Sequence, residues 1–137
     1  MRSTPRARAT LAAVALVTLG AAAAVTAARA ASVLDFDVWM RAIDKRSVDV
    51  QKNIDARRTD AAIADAQELA RLYGLMETYF VADGHTQDAV TMSQDGKALA
   101  SAIPVALAAQ DFATASKSAL DLSRSCNDCH DAHKPFQ

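Results

Sequence analysis

Beyond its first thirty residues the chain reads as all-α, an antiparallel four-helix bundle. One observation behind this is composition: the stretch is poor in β-branched and aromatic residues and rich in Ala, Leu, Asp, Gln and Lys, which are mostly residues that favour helices. A second is periodicity. Apolar or small residues recur at steps of three and four, the spacing that lines one face of a helix. The third is punctuation: the periodic stretches are separated by short breaks, and short connections join antiparallel neighbours.

The first thirty residues are set apart. Arg2, Arg6 and Arg8 precede an unbroken run of Ala, Val, Leu, Thr and Gly from Ala9 to Val25, and Ala28-Arg29-Ala30 follows as a small-x-small site. This is the layout of a secretory signal. An uncleaved membrane anchor is the alternative, but the run is short and Ala-rich for a span. The expected organisation is a cleaved signal over 1–30 and one domain over 31–137. The whole chain carries 15 Lys and Arg; four leave with the signal, and 11 remain against 16 Asp and Glu, a formal charge of −5. That balance speaks against a nucleic-acid partner, and it provides no basic patch for an anionic membrane surface.

In the first helix the seam is Phe36, Met40, Ile43, Ser47, Val50 and Ile54. Ser47 interrupts an apolar stripe, either as a tolerated polar residue or as room for a bulky cofactor. Ala56-Arg57-Arg58-Thr59 forms the first turn, with Thr59 or Asp60 capping the next helix. The second seam is Ala62, Ala66, Leu69, Tyr73, Met76 and Phe80, ended at Asp83-Gly84 by a glycine able to adopt the left-handed conformation. The third helix begins near Thr86 and carries Val90, Leu99, Ile103 and Leu107. Gly96 weakens it, and Pro104 is expected to kink or split it. Ala109-Gln110-Asp111 is a turn with Asp111 as N-cap. The fourth seam is Phe112, Ala115, Ala119, Leu122, Cys126 and Cys129. With so many alanines on the seams, the core is expected to be underfilled by side chains alone.

That last seam ends in Cys126-Asn127-Asp128-Cys129-His130. Cys-x-x-Cys-His is the attachment signal for a c-type haem. Two thiols must meet two vinyl groups on one porphyrin edge, and an adjacent imidazole must reach the iron. On a helix, positions i, i+3 and i+4 share one side within a turn, so Cys126, Cys129 and His130 can address one planar cofactor. His is a common proximal haem ligand. The plainer readings are a disulfide, or a zinc site completed by His85 and His133. Zinc usually takes four protein ligands, and nothing in the sequence brings His85 near the motif. Both cysteines belong to the motif, so no separate disulfide remains.

A single Cys-x-x-Cys-His near the C-terminus of a four-helix chain resembles the class II cytochromes c, cytochrome c-prime and its low-spin relatives. The resemblance spans the mature chain in architecture; outside Cys126–His130 it is a matter of pattern. Lys52-Asn53-Ile54 and Asp60-Ala61-Ala62-Ile63-Ala64 resemble the family's junction between its first two helices. It implies a periplasmic protein whose bundle encloses one covalent haem c, held by Cys126 and Cys129 with His130 as proximal iron ligand. Aligned through Asn53 and Ile54, Met40 falls at the distal position, where low-spin members carry a ligating Met and high-spin members carry no ligand. Two departures stand out. Where the family often has an aromatic residue and an arginine after the haem histidine, this chain has His133 and Lys134; where many carry a distal-side arginine, it has Phe36. Lys134 or Arg124 is left to neutralise the propionates.

The function so implied is an electron carrier exchanging electrons with a redox partner protein, with Met40 as second axial ligand. The competing reading is a high-spin protein that binds or sequesters nitric oxide or carbon monoxide at an open distal site. A haem-free interaction bundle closed by a disulfide is a third. No second Cys/His cluster, Gly-rich phosphate loop or Ser/His/Asp pattern points to an enzyme. No stable membrane insertion is expected after signal cleavage. The resemblance also implies a homodimer through the first two helices, although their charged outward faces read more simply as solvated.

Overall fold

A computed structural model describes residues 30–84 and 87–133. Residues 1–29, where a signal is expected, lie outside the described residues, as do His85, Thr86 and Lys134. What is described is all-helical, a bundle of four helices with no strand: α1 Val33–Asp55, α2 Thr59–Asp83, α3 Gln87–Ala108 and α4 Phe112–Ala132. Each helix packs on its neighbours in a closed ring: α1 on α2, α2 on α3, α3 on α4 and α4 back on α1. None of these helices is long and apolar enough to cross a membrane.

The helix ends follow from local chemistry. Ser32 starts α1 with a reciprocal capping box: its hydroxyl accepts from the Asp35 N–H at 3.2 Å, and the Asp35 carboxylate accepts from the Ser32 N–H at 2.8 Å. The turn after α1 departs from expectation. Neither Thr59 nor Asp60 caps α2; Arg58 occupies that position without a side-chain cap. The chain reverses through Arg57 in the left-handed region, φ 57°, and the Arg58 N–H reaches back to the Asn53 carbonyl at 2.8 Å. Gly84 ends α2 at φ 70°, a conformation that costs a residue without Cβ little. Asp111 caps α4, accepting from the Thr114 N–H at 3.0 Å, and that bond holds its carboxyl below the usual carboxylate range.

The seams of α1, α2 and α4 are buried along their middles much as the sequence reads. The third differs. Its buried face is Ala89, Ser93, Gly96, Ala100, Ile103 and Leu107, joined by Val90 and Ala106, while Leu99 is only partly buried. The main line again advances by alternating fours and threes, but four of its six members are Ala, Ser or Gly. Small residues let neighbouring backbones approach closely, and Gly96 shows how far. A Cβ there would lie 2.3 Å from Cε1 of Tyr73, so the tyrosine ring rests against the glycine backbone. Pro104 does not split α3. It sits one turn before the helix ends at Ala108, and its ring removes the N–H from which the Ala100 carbonyl would have accepted.

The seam alanines are packed inside. Ala62, Ala66, Ala89, Ala100, Ala115 and Ala119 are fully buried among Ile43, Val50, Leu69, Ile103 and Leu122, all within one core cluster. Between α1 and α2 lies a polar knot. Asp65 is buried and pairs with Arg46, and it accepts from Asn53 Nδ2 at 2.7 Å. Asn53 in turn accepts from Arg58 Nε at 2.9 Å, tying the turn to the interior.

Candidate functional site

Cys126, Cys129 and His130 lie within the last turns of α4, inside continuous helix. Both cysteines are half-buried free thiols; His130 is exposed at the rim. All three line a single narrow cavity of about 20 Å³. Its other walls are Met40 and Ile43 from α1, Tyr73 and Met76 from α2, and Met92 and Ser93 from α3, with Ser125 beside the motif. Met40, singled out on the first seam, therefore lines the same cavity as the Cys-x-x-Cys-His segment from across the bundle. Ser47 does not line this cavity. It is buried one turn further along α1, and its hydroxyl has no hydrogen-bond partner.

Met76 and Met92 were not readable as site residues. Met76 lies on the α2 seam and passes for core filler. Met92 falls beside the α3 seam, whose small residues hide its register. With Met1 set aside, the chain has three methionines and two cysteines, and all five of these residues line this one cavity. Every helix contributes at least one. That concentration is a signal visible only once the helices are placed.

Tyr73 is the other residue the sequence left as core. It is almost fully buried, and its hydroxyl lies 3.4 Å from Cys126 Sγ. The Cys126 S–H also donates to the Leu122 carbonyl at 3.4 Å, which leaves the Tyr73 O–H as the donor to sulfur. Burial, followed by the neighbouring Cys126, pushes the phenol well above its ordinary value, so it stays protonated. Burial also raises the Cys129 thiol, with Cys126 and Asp88 adding to the effect; a thiol so shifted is not a reactive thiolate. Beyond the motif, His133 ends α4 and its Nε2 lies 3.0 Å from the Asp88 carboxylate at the start of α3, which ties down the helix end. Arg124 is exposed and pairs with Asp121 at 3.4 Å. Phe36 packs on Tyr79 and Phe80, with ring centroids at 4.9 and 5.4 Å.

The donors suit a c-type haem. Two free thiols and an imidazole share one helical turn, the wall is largely apolar, and a thioether stands on another helix. The space is that of a single water, so a porphyrin requires the lining to move. Three of the walls are methionines, whose unbranched side chains repack readily, and the motif lies at the open rim. A closed zinc site fits less well: among the described residues no three His, Cys, Asp or Glu side chains cluster as metal ligands. No protein-family model, curated protein or solved structure matches the chain.

Proposed function

We propose that this chain is an exported, periplasmic electron carrier of the class II cytochrome c kind, an antiparallel bundle holding one haem c. The observation that carries the reading is the shared cavity: Met40 from α1 lines it together with Cys126, Cys129 and His130 from α4. The antiparallel order is supported by the same set. Met40 comes early in α1, Met76 late in α2, Met92 early in α3 and the motif late in α4, and neighbours running in opposite directions bring these to one end. Cys126 and Cys129 would hold the haem through thioethers, and His130 and Met40 would supply donor atoms to its iron. The bound iron would supply a one-electron redox centre whose potential a Met ligand raises. The chain's own contribution would be to fix both donors on packed helices, Met40 one turn before fully packed Ile43, and to bring apolar groups against Met40 while His130 stays at the exposed rim. Donors held on two packed helices would limit rearrangement on reduction, as electron transfer requires.

Ferric absorption spectra of the matured protein test this. The wild type is expected to be low-spin. Met40→Ala should convert it to high-spin, lower its reduction potential and admit carbon monoxide or nitric oxide. Met76→Leu and Met92→Leu should leave the spectrum low-spin. A wild type already high-spin and open to these gases makes Met40 filler and the chain a gas-binding protein.

A further inference from the structure

We infer that Tyr73 is a positioning residue: its hydroxyl holds Cys126 Sγ as a reduced thiol directed into the cavity, biasing the Cys126–Cys129 pair against closing as a disulfide. The geometry is specific. Cys126 Sγ is engaged on two sides, donating to Leu122 O on its own helix and accepting from Tyr73 across the bundle, both at 3.4 Å. Neither bond survives if the sulfur swings toward Cys129. The tyrosine cannot drift away, because its ring lies on Gly96 with room for no side chain between them. It stays a donor, because burial and the neighbouring Cys126 disfavour the phenolate more than the hydrogen bond with Ser125 favours it. Two cysteines three apart on a helix are close enough to react, and an exported chain meets an oxidising compartment. A dithiol that must stay open there gains from any bond that exists only in the open form.

Closure is a balanced exchange. Cys126 and Cys129 lose two protons and two electrons and form one S–S bond, while a small-molecule disulfide accepts them and leaves as two thiols. Removing the Tyr73 hydroxyl removes a hydrogen bond from the dithiol side of that equilibrium and nothing from the disulfide side.

The purpose rests on the haem reading, but the measurement does not. The full chain is produced in a host without c-type maturation and equilibrated in buffers of reduced and oxidised glutathione, and its free thiols are counted by alkylation and mass spectrometry. Tyr73→Phe keeps the ring, so the fold should hold by circular dichroism, and it should shift the equilibrium about fivefold toward the disulfide, the weight of one ordinary hydrogen bond. Gly96→Ala, which lifts the ring from its seat and leaves the hydroxyl intact, should shift it the same way. An unchanged equilibrium in both variants, or a shift toward the dithiol, overturns the proposal. Failure of the haem reading shows separately, as matured chain that carries no covalent haem.

Discussion

Gly96→Ala offers a sign test of the packing. In an exposed helix interior, replacing Gly by Ala stabilises by about 1 kcal/mol. Position 96 is buried, and the new Cβ would lie 2.3, 2.6 and 2.7 Å from three carbons of the Tyr73 ring. A ring packed to 6 % exposure cannot absorb that within its rotamer. Overpacking of this kind costs about 1–3 kcal/mol, and the displaced hydroxyl gives up a bond to Cys126 of about 1 kcal/mol. Set against the helix gain, the net is a loss of about 1–3 kcal/mol, or a melting temperature lower by roughly 5–15 °C for a domain of this size. Thermal and urea melts followed at the helical circular dichroism band measure it. The control is Tyr73→Ala: with the ring gone, adding Ala at 96 should become stabilising by about 1 kcal/mol, a coupling between neighbours that a double-mutant cycle isolates. If Gly96→Ala raises the melting temperature in the wild-type background, the ring does not rest on Gly96, and the positioning of Cys126 argued above loses its support.

Other outcomes follow from the same contacts. Asp65→Ala should destabilise by about 2 kcal/mol in urea melts, because Asn53 loses a half-buried acceptor while Arg46 can turn back to water; a neutral effect would mean that the polar knot contributes nothing. Cys126→Ala with Cys129→Ala should abolish haem that survives acid and organic extraction, and freely extractable haem in the wild type would refute covalent attachment. Light scattering at micromolar concentration should give twice the chain mass if α1 and α2 form the proposed homodimer. A monomer is the outcome if the Arg41–Asp37 and Lys45–Asp49 pairs simply face solvent.

How far the sequence carried depended on residue size. The helices α1, α2 and α4 announce themselves because Ile43, Val50, Leu69 and Leu122 are large enough to mark a seam. The register of α3 was partly misread: Ala89, Ser93, Gly96 and Ala100 keep the same period, but small residues are ambiguous between surface and core. Losing that register also hid Met92. Of the two outcomes expected at Pro104, a split is not seen: α3 runs on to Ala108 before Gln110 turns the chain at φ 59°, with Ile103 and Leu107 buried on either side of the proline to offset one lost backbone bond. The cap at Arg58 was missed because the turn is closed by backbone bonds to Asn53 and Ile54, which no side-chain pattern announces. The Cys126, Cys129 and His130 motif could be read from the sequence because its spacing is local to one helical turn. The partnership of Tyr73 with Cys126 spans 53 positions and has no local signature.

The gathering of five sulfur-bearing residues around one cavity also bears on how the chain meets oxidants. Methionine oxidises to a polar sulfoxide and cysteine to sulfenic and higher acids, and the described residues include no other methionine or cysteine. Ile54, Leu69, Leu107 and Leu122 have nothing to lose to peroxide. Met76 is different from its four companions, because it belongs to the buried core at 3 % exposure. A sulfoxide there would place a polar group among the apolar residues that hold α2 against its neighbours. Peroxide damage would therefore be felt as lost packing at this end of the bundle, and only after the half-buried sulfurs had been consumed.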